Sequence, residues 1–358
     1  MHVNTLILGA GAAGLMCAAH AGPDTLLVDH AKAAGEKIRI SGGGRCNFTN
    51  LGTTPANFIS HNPHFAKSAL ARYTQWDFIE LVDRYKIAWH EKTLGQLFCD
   101  DTAKDIIAML LAEMDKAKAE LWLQCEVGNI RHDGGLYHVA LKRHGQAQLV
   151  TATNLVVATG GKSIPKMGAT GLAYQIAEQF GVPVTDTRPA LVPFTFSDEK
   201  FKPITGTPVA ARITTADGTA FDEALLFTHR GLSGPAVLQA SSYWRDGEEI
   251  RVALAPDFDL GAALKIQRTQ DGRKALSTAL AAHLPARLVD FLSAEIEMTG
   301  NVGDLSDARI AQLTQHLHNW TLRPSGTEGY RTAEVTAGGI DTDALSSKTM
   351  QVKSASGL

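Results

Sequence analysis

The first thirty residues place the strongest constraint on the fold of this 358-residue chain. An apolar run at residues 3–8 predicts a short buried strand and leads directly into the turn Gly9-Ala-Gly-Ala-Ala-Gly14. An Ala-rich helix is predicted over 15–21, and a second strand, at 25–28, ends on Asp29. This order is typical of a dinucleotide-binding βαβ unit, in which the acid accepts hydrogen bonds from a ribose hydroxyl. A glycine-rich turn of an ordinary core is the alternative.

The spacing of the turn gives each residue a predicted role. Gly9 would make the tight turn, Gly11 would let a pyrophosphate approach the backbone, and Gly14 would let the helix pack on the strand. The backbone of Ala12 and Ala13 would face the phosphates from the positive end of the helix. The sequence therefore predicts a phosphate-binding helix N-terminus.

A second glycine-rich block follows the acid. A plain NAD-binding domain needs only a helix here, whereas this block combines flexible glycines with basic and amide side chains suited to phosphate and a polar ring edge. We expect it to be mobile unless a ligand orders it, and a solvated linker is the alternative. Its residues are Lys37 and then Ser41-Gly42-Gly43-Gly44-Arg45-Cys46-Asn47.

This block resembles a nearly identical run in the YhiN/BaiN-like (aminoacetone oxidase) flavoproteins. The resemblance returns at residues 158–163, 227–235 and 334–339, so it covers almost the whole chain. It implies a glutathione-reductase-type α/β fold: a doubly wound FAD-binding domain with a β-meander, plus an inserted unit with a β-rich half and a helical half. It also implies that the chain lacks a C-terminal segment that completes the family's flavin site, so that FAD binding is weakened.

The resemblance further implies which residues hold FAD, and that NAD(P)H is the electron donor. They lie in the first turn and its acid, in the second glycine-rich block, in the meander, and in two later Gly-Gly pairs. Beyond the positions named above, these are Val127, Thr159, Gly160, Gly161, Gly338 and Gly339.

Hydrophobic periodicity outlines the rest of the chain. Helices are predicted over 65–73, 75–85 and 104–118, the last capped by Thr102. Alternating residues at 121–130, 136–143 and 147–154 predict a three-stranded meander, which leads into an apolar strand at 155–158. We expect four segments: an FAD-binding domain over 1–189, a β-rich inserted domain over 190–258, a helical inserted domain over 259–322, and a return to the first domain over 323–358.

Composition indicates an ordinary globular protein. A net charge of −3 argues against a general attraction to nucleic acid or anionic membranes. The four cysteines show no ligand-like spacing, so we expect no metal site, no disulfide framework and a cytoplasmic location. No apolar run approaches the roughly 18 residues of a membrane span. Oligomeric state stays open.

Two side chains are candidates for chemistry. Cys46 is either an acid or redox partner near the flavin or a packed thiol, and His229 is either an acid or base or an ordinary polar residue. The leading hypothesis is an FAD-dependent oxidoreductase that takes hydride from a reduced nicotinamide and passes it to, or removes it from, a small-molecule or RNA-base substrate held between its domains. The family resemblance implies reduction of carbon–carbon double bonds, amine oxidation, or reduction of uridine in ribosomal RNA. An NAD-dependent dehydrogenase and a non-catalytic flavin-binding fragment are the alternatives. A basic cluster could contact RNA or be merely solvated: Lys265, Arg268, Arg273 and Lys274.

Overall fold

The computed structural model describes all 358 residues and divides into two compact units. The first unit contains residues Met1–Thr187 and Gly338–Leu358, and the second contains Arg188–Ala337. None of the helices combines the length and the apolar composition needed to cross a bilayer.

The first unit is built from nine strands and six helices. In chain order they are β1 (His2–Leu8), α1 (Ala12–Ala21), β2 (Thr25–Val28), α2 (Glu36–Ile40), β3 (Asn47–Asn50), α3 (Lys67–Arg72), α4 (Gln75–Arg84), β4 (Trp89–Glu91), β5 (Gln96–Cys99), α5 (Ala103–Lys116), β6 (Glu120–Trp122), β7 (Cys125–Asp133), β8 (Leu136–Arg143), β9 (Gln146–Val157) and α6 (Leu172–Gln179).

The main sheet of this unit has the strand order β6-β2-β1-β9-β8-β7. The first four strands of that order run parallel, and β7, β8 and β9 form an antiparallel meander. Leu8 of β1 pairs with Val157 of β9, so the first strand and the last apolar strand share one sheet as predicted. The parallel part has the order of a doubly wound dinucleotide-binding sheet, which confirms the predicted fold class.

Two details of the predicted meander are wrong. The segment 121–130 is not one strand: β6 joins the parallel sheet and β7 begins the meander, because the backbone turns at Gln124, which has φ 53°. The predicted strands at 147–154 and 155–158 are a single strand, β9. No turn residue separates them, and the buried side chains of Val150, Ala152 and Leu155 continue along its length.

The second unit contains nine strands and five helices. They are β10 (Arg188–Ala190), β11 (Phe194–Thr195), β12 (Pro208–Thr214), β13 (Ala220–Phe227), β14 (Gly231–Ser233), α7 (Pro235–Ser241), β15 (Ile250–Leu254), α8 (Leu260–Gln270), α9 (Leu276–Leu280), α10 (Ala286–Leu292), α11 (Asp307–His318), β16 (Trp320–Leu322), β17 (Gly326–Thr327) and β18 (Val335–Ala337). Seven strands form one sheet in the order β16-β15-β12-β13-β14-β11-β17, and β10 pairs with β18.

A single hydrophobic core joins the β-rich and helical halves of this unit. Phe194 and Phe227 from the sheet lie in the same buried cluster as Leu288 and Leu313 from the helices. The two inserted segments therefore pack as one body. Strands β17 and β18 also belong to it, so the chain returns to the first unit at Gly338, later than the boundary at 323 expected from the sequence.

Candidate functional site

The three glycines of the turn between β1 and α1 differ in the space available for a side chain. A Cβ on Gly9 would lie 2.5 Å from the carbonyl oxygen of Ala158, and a Cβ on Gly14 would collide with the carbonyl oxygen of Gly9. Gly11 differs, because nothing lies within 4 Å of the position that its Cβ would take. Two glycines are thus required by backbone packing, while the third faces open space where a pyrophosphate could approach.

Helix α1 begins at Ala12, beside that open space. Gly11 precedes it as the capping residue and has no side chain to satisfy the first amide groups. The N–H groups of Ala12 and Ala13 therefore have no intrahelical acceptor and lie at the positive end of the helix. This arrangement suits the oxygens of a phosphate.

Asp29 is held at the end of β2 by backbone donors. Its Oδ2 accepts a hydrogen bond from the amide of Ala10 at 2.6 Å, and its Oδ1 accepts one from the amide of Ala31 at 2.8 Å. These two bonds tie the carboxylate to the turn. Each carboxylate oxygen has a further lone pair, so Asp29 can still accept a hydrogen bond from a ribose hydroxyl.

A cavity of about 700 Å³ opens beside this carboxylate. Gly9, Asp29, Val127 and Thr159 all line it, so the structure brings together predicted residues that are far apart in the sequence. The side-chain oxygen of Thr159 is buried and has no hydrogen-bond partner. A buried hydroxyl without a partner is costly in a protein interior, which marks this wall as one that a polar ligand would satisfy.

The second glycine-rich block forms a compact turn. After α2, residues Ser41–Gly44 form a short 3₁₀ turn, in which Gly42 and Gly43 have φ of 58° and 68°. The ring of Phe98 lies against this turn: a Cβ on Gly42 would be 2.6 Å from it. The glycine run is therefore a turn with a side chain packed against it, and its mobility stays a prediction. Arg45 and Asn47 follow it as exposed residues, and Asn47 begins β3, which pairs with β5.

A lysine and a serine connect this block to the segment after β9. Lys37 donates a hydrogen bond from Nζ to Oγ of the buried Ser163 at 3.2 Å, and burial lowers the pKa of Lys37. Gly160 has φ 70° and open space beside it, and Gly161 follows directly. The stretch after β9 thus has an accessible backbone at Gly160, and its Ser163 is bonded to the cationic side chain of Lys37.

The later Gly-Gly pair packs against residues 185–187. The amide of Gly339 donates to Oγ1 of Thr185 at 3.1 Å, and a Cβ on Gly338 would collide with the carbonyl oxygen of Asp186. Lys162 donates to Oγ1 of Thr187 at 2.9 Å and lies 5.1 Å from the ring centre of Tyr174. Thr185 and Thr187 carried no signal in the sequence beyond the common polarity of loop residues.

The two candidates for chemistry differ in access. Cys46 is 5% exposed in the core of the first unit, and burial raises the pKa of its thiol to about 11. His229 is exposed in the turn between β13 and β14 of the second unit. The residues that follow it, Gly231–Ser233, form β14, and helix α7 starts at Pro235.

One member of the predicted basic cluster, Arg268, forms hydrogen bonds within its own unit. Arg268 donates to the carbonyl oxygen of Leu305 and to the carboxylate of Asp307, each at 2.7 Å. Its charge is therefore neutralised within the unit. Lys265 and Arg273 are exposed and Lys274 is partly exposed, which leaves three side chains rather than four to attract a phosphate backbone.

Comparison with known proteins identifies the family. Residues 3–358 match the family described as "HI0933-like protein Rossmann domain". The chain belongs to this family. The predicted YhiN/BaiN-like relationship is thereby confirmed, as is the class of flavin-dependent oxidoreductases to which the family belongs.

Three curated relatives extend over nearly the whole chain. The chain is 49% identical over 366 residues to the "Ribosomal RNA dihydrouridine synthase" of Escherichia coli and 46% identical over 364 residues to that of Haemophilus influenzae. Each match covers 99% of this chain and 90% of the relative. A more distant relative is the "3-dehydro-bile acid delta(4,6)-reductase" of Clostridium scindens, which is 23% identical over 98% of this chain and 90% of that protein.

Proposed function

We propose that this protein is an FAD-dependent enzyme that uses NAD(P)H to reduce uridine to dihydrouridine in ribosomal RNA, acting in the cytoplasm. The observation that carries the proposal is the 49% identity, over 99% of the chain, to a ribosomal RNA dihydrouridine synthase. The relative reported as a bile acid reductase is much more distant, at 23% identity. Its name nevertheless describes a reductase too, which supports reduction as the type of reaction.

The residues of the first unit fit FAD. The open space at Gly11 and the free amides of Ala12 and Ala13 would hold the pyrophosphate, and Asp29 would hold the ribose of the adenosine half. The orphaned hydroxyl of Thr159 offers a further polar contact in the cavity that Val127 lines. We assign the flavin half to the remaining predicted residues, listed here: Lys37, Ser41, Gly42, Gly43, Gly44, Arg45, Cys46, Asn47, Gly160, Gly161, Gly338 and Gly339.

Bound FAD would accept a hydride from the nicotinamide and pass it to the substrate. Reduction of the uracil double bond adds one hydride and one proton, so the protein needs a proton source beside the base. Lys37 would contribute a positive charge near the flavin. Burial partly desolvates this charge and thereby lowers the pKa of Lys37.

Cys46 and His229 remain our two proposed proton donors. The raised pKa keeps Cys46 a neutral thiol at neutral pH, so it has a proton to give. Because Cys46 is buried, its contact with the uracil ring of a substrate is restricted. His229 is exposed and is not restricted in this way. Replacement of each residue separately, as Cys46→Ala and His229→Asn, should lower product formation per bound flavin only for the true donor.

The experiment is a turnover assay with unmodified ribosomal RNA. The purified chain, supplied with FAD and with NADH or NADPH, should convert uridine to dihydrouridine, which mass spectrometry detects as a gain of two hydrogens. A yellow protein that oxidises NAD(P)H but leaves the RNA unchanged would refute the RNA substrate and keep the oxidoreductase. A colourless protein that reduces substrate with NADH alone would instead establish the NAD-dependent dehydrogenase.

A further inference from the structure

Three side chains that commonly bind metals meet at the surface of the first unit. They are His61, from the loop that precedes α3, and Asp341 and Asp343, from the segment that follows the Gly338-Gly339 pair. Nε2 of His61 lies 3.2 Å from Oδ1 of Asp341 and 3.3 Å from Oδ2 of Asp343. All three ligand atoms lie within 4.8 Å of one another.

These separations fit the edges of a metal coordination shell. Zinc binds imidazole nitrogen and carboxylate oxygen at about 2.0–2.2 Å in tetrahedral geometry, which places neighbouring ligand atoms roughly 3.4 Å apart. The two distances from His61 are close to that value. The two carboxylate oxygens lie within 4.8 Å of each other, and both aspartates are at least partly exposed, so their side chains have room to adjust to a metal.

The donor atoms also decide which ion fits. An imidazole nitrogen beside two carboxylates favours zinc and similar first-row cations over magnesium or calcium, which prefer oxygen ligands alone. The exposure of the cluster leaves room for water in the fourth position. Three protein ligands and one water complete a tetrahedral shell.

Neighbouring groups hold the aspartates in place. Oδ1 of Asp341 accepts a hydrogen bond from the backbone amide of Asp343 at 2.9 Å and keeps a second lone pair for a metal. Asn62 donates from Nδ2 to Oδ1 of Asp343 at 2.9 Å, which leaves Oδ2 directed at His61. Lys353 donates to the carbonyl oxygen of Asp343 at 2.8 Å, so this nearby cation is bonded to the backbone. Hydrogen bonds to the second oxygen of a carboxylate are a usual feature of metal sites because they orient the ligand.

We propose that His61, Asp341 and Asp343 bind one divalent cation of the zinc class. No sequence pattern points to this site, because its ligands come from segments 280 residues apart. The expectation of no metal came from the spacing of cysteines. The ion would fasten the loop before α3 to the segment that carries Gly338 and Gly339. The proposal does not depend on the reaction or on the RNA substrate.

The test is calorimetric titration of the tag-free, chelator-treated full chain with Zn²⁺, and with Mg²⁺ for comparison. We expect one equivalent of Zn²⁺ to bind and Mg²⁺ to bind far more weakly. His61→Gln and Asp343→Asn should each weaken zinc binding at least about tenfold. The matched control is His90→Gln: His90 lies 2.6 Å from Asp100 in the same unit with similar exposure, but it pairs with one carboxylate only.

Thermal melts separate lost ligation from lost folding. Zinc should raise the melting temperature of the original chain and of His90→Gln, and should leave that of His61→Gln unchanged. Equal zinc affinity in the original chain and in His61→Gln would overturn the proposal. So would the absence of saturable binding at one equivalent, which would mean that the three side chains form only a hydrogen-bonded contact between the two segments.

Discussion

The two glycine-rich turns of the first unit differ in what holds them. In the dinucleotide turn, residues 9–14, both glycines pack mainly against backbone: Gly9 against Ala158 and Thr159, just after β9, and Gly14 against the carbonyl group of Gly9. The polyglycine turn, residues 41–44, is packed by Phe98, a residue more than fifty positions away. A glycine that packs against backbone in a general βαβ motif can be interpreted from the local spacing of that motif. A glycine held by one particular side chain from elsewhere in the chain cannot.

The largest expected effect is at Gly14. A side chain there must displace the carbonyl oxygen of Gly9 and the side chain of Leu27, so helix α1 could not pack on its strand. Gly14→Val should therefore destabilise the unit by about 3 kcal/mol or more. Chemical denaturation followed by circular dichroism measures this loss. A stability equal to that of the original chain would mean that the close contact between helix and strand is not required.

Gly11→Val should abolish flavin binding while leaving the stability of the protein nearly unchanged. Nothing lies near the position of its Cβ, and its φ of −80° suits any residue, so the thermal midpoint of the cofactor-free protein should hardly change. Flavin binding should nevertheless be lost, because the valine would fill the space of the pyrophosphate. Fluorescence titration with FAD tests this. Binding at the original affinity would place the pyrophosphate elsewhere.

Asp29→Ala should have an intermediate effect on binding. The lost carboxylate removes a charge-assisted hydrogen bond to the ribose, so FAD should bind about 1–3 kcal/mol more weakly. The matched variant is Asp29→Asn, which keeps one acceptor oxygen and should lie between the original chain and the alanine variant. The same titration measures all three. If Asp29→Ala and Asp29→Asn bind alike, the contact with the ribose is not made by an ionised carboxylate.

The same division explains how far the sequence predicted the fold and the site. The first strand, helix α1, β2 and Asp29 were predicted because each signal is local and the elements follow one another. Of the small sheet of β3, β4 and β5, the sequence predicts only a short strand at 87–90, which overlaps β4. The sheet as a whole was missed because its strands are three or four residues long and β3 pairs with β5 across a long connection. The partners of the Gly338-Gly339 pair, Thr185 and Asp186, were likewise set by tertiary packing alone.

Two alanine variants of the polyglycine turn, compared with each other, test a smaller effect on stability. Gly42 and Gly43 both have left-handed backbones, so alanine costs each about 1–2 kcal/mol. Only Gly42 would also press a Cβ against the Phe98 ring and the amide of Asn47, at 2.6 and 2.8 Å. Gly42→Ala should therefore be less stable than Gly43→Ala by about 1–3 kcal/mol. Equal losses in urea denaturation would show that Phe98 does not hold this turn.

The smallest effect near neutral pH concerns the thiols behind the polyglycine turn. Burial raises the pKa of Cys46 to about 11 and that of Cys99 to about 12, from an ordinary value of 9.0. The folded state thus favours the neutral thiol. This contribution to stability is complete below pH 9.0 and is lost as the pH rises through about 11 to 12.

Cys46→Ala and Cys99→Ala should therefore show a shallower fall in stability above about pH 9 than the original chain, whatever their stability at neutral pH. Urea denaturation at a series of pH values measures these slopes, and the thiol-specific labelling rate of the folded chain gives an independent readout. Labelling of Cys46 should stay slow until the pH approaches 11. Rapid labelling at pH 8 together with unchanged slopes would show that the polyglycine turn opens readily, and would restore the mobile loop expected from its glycines.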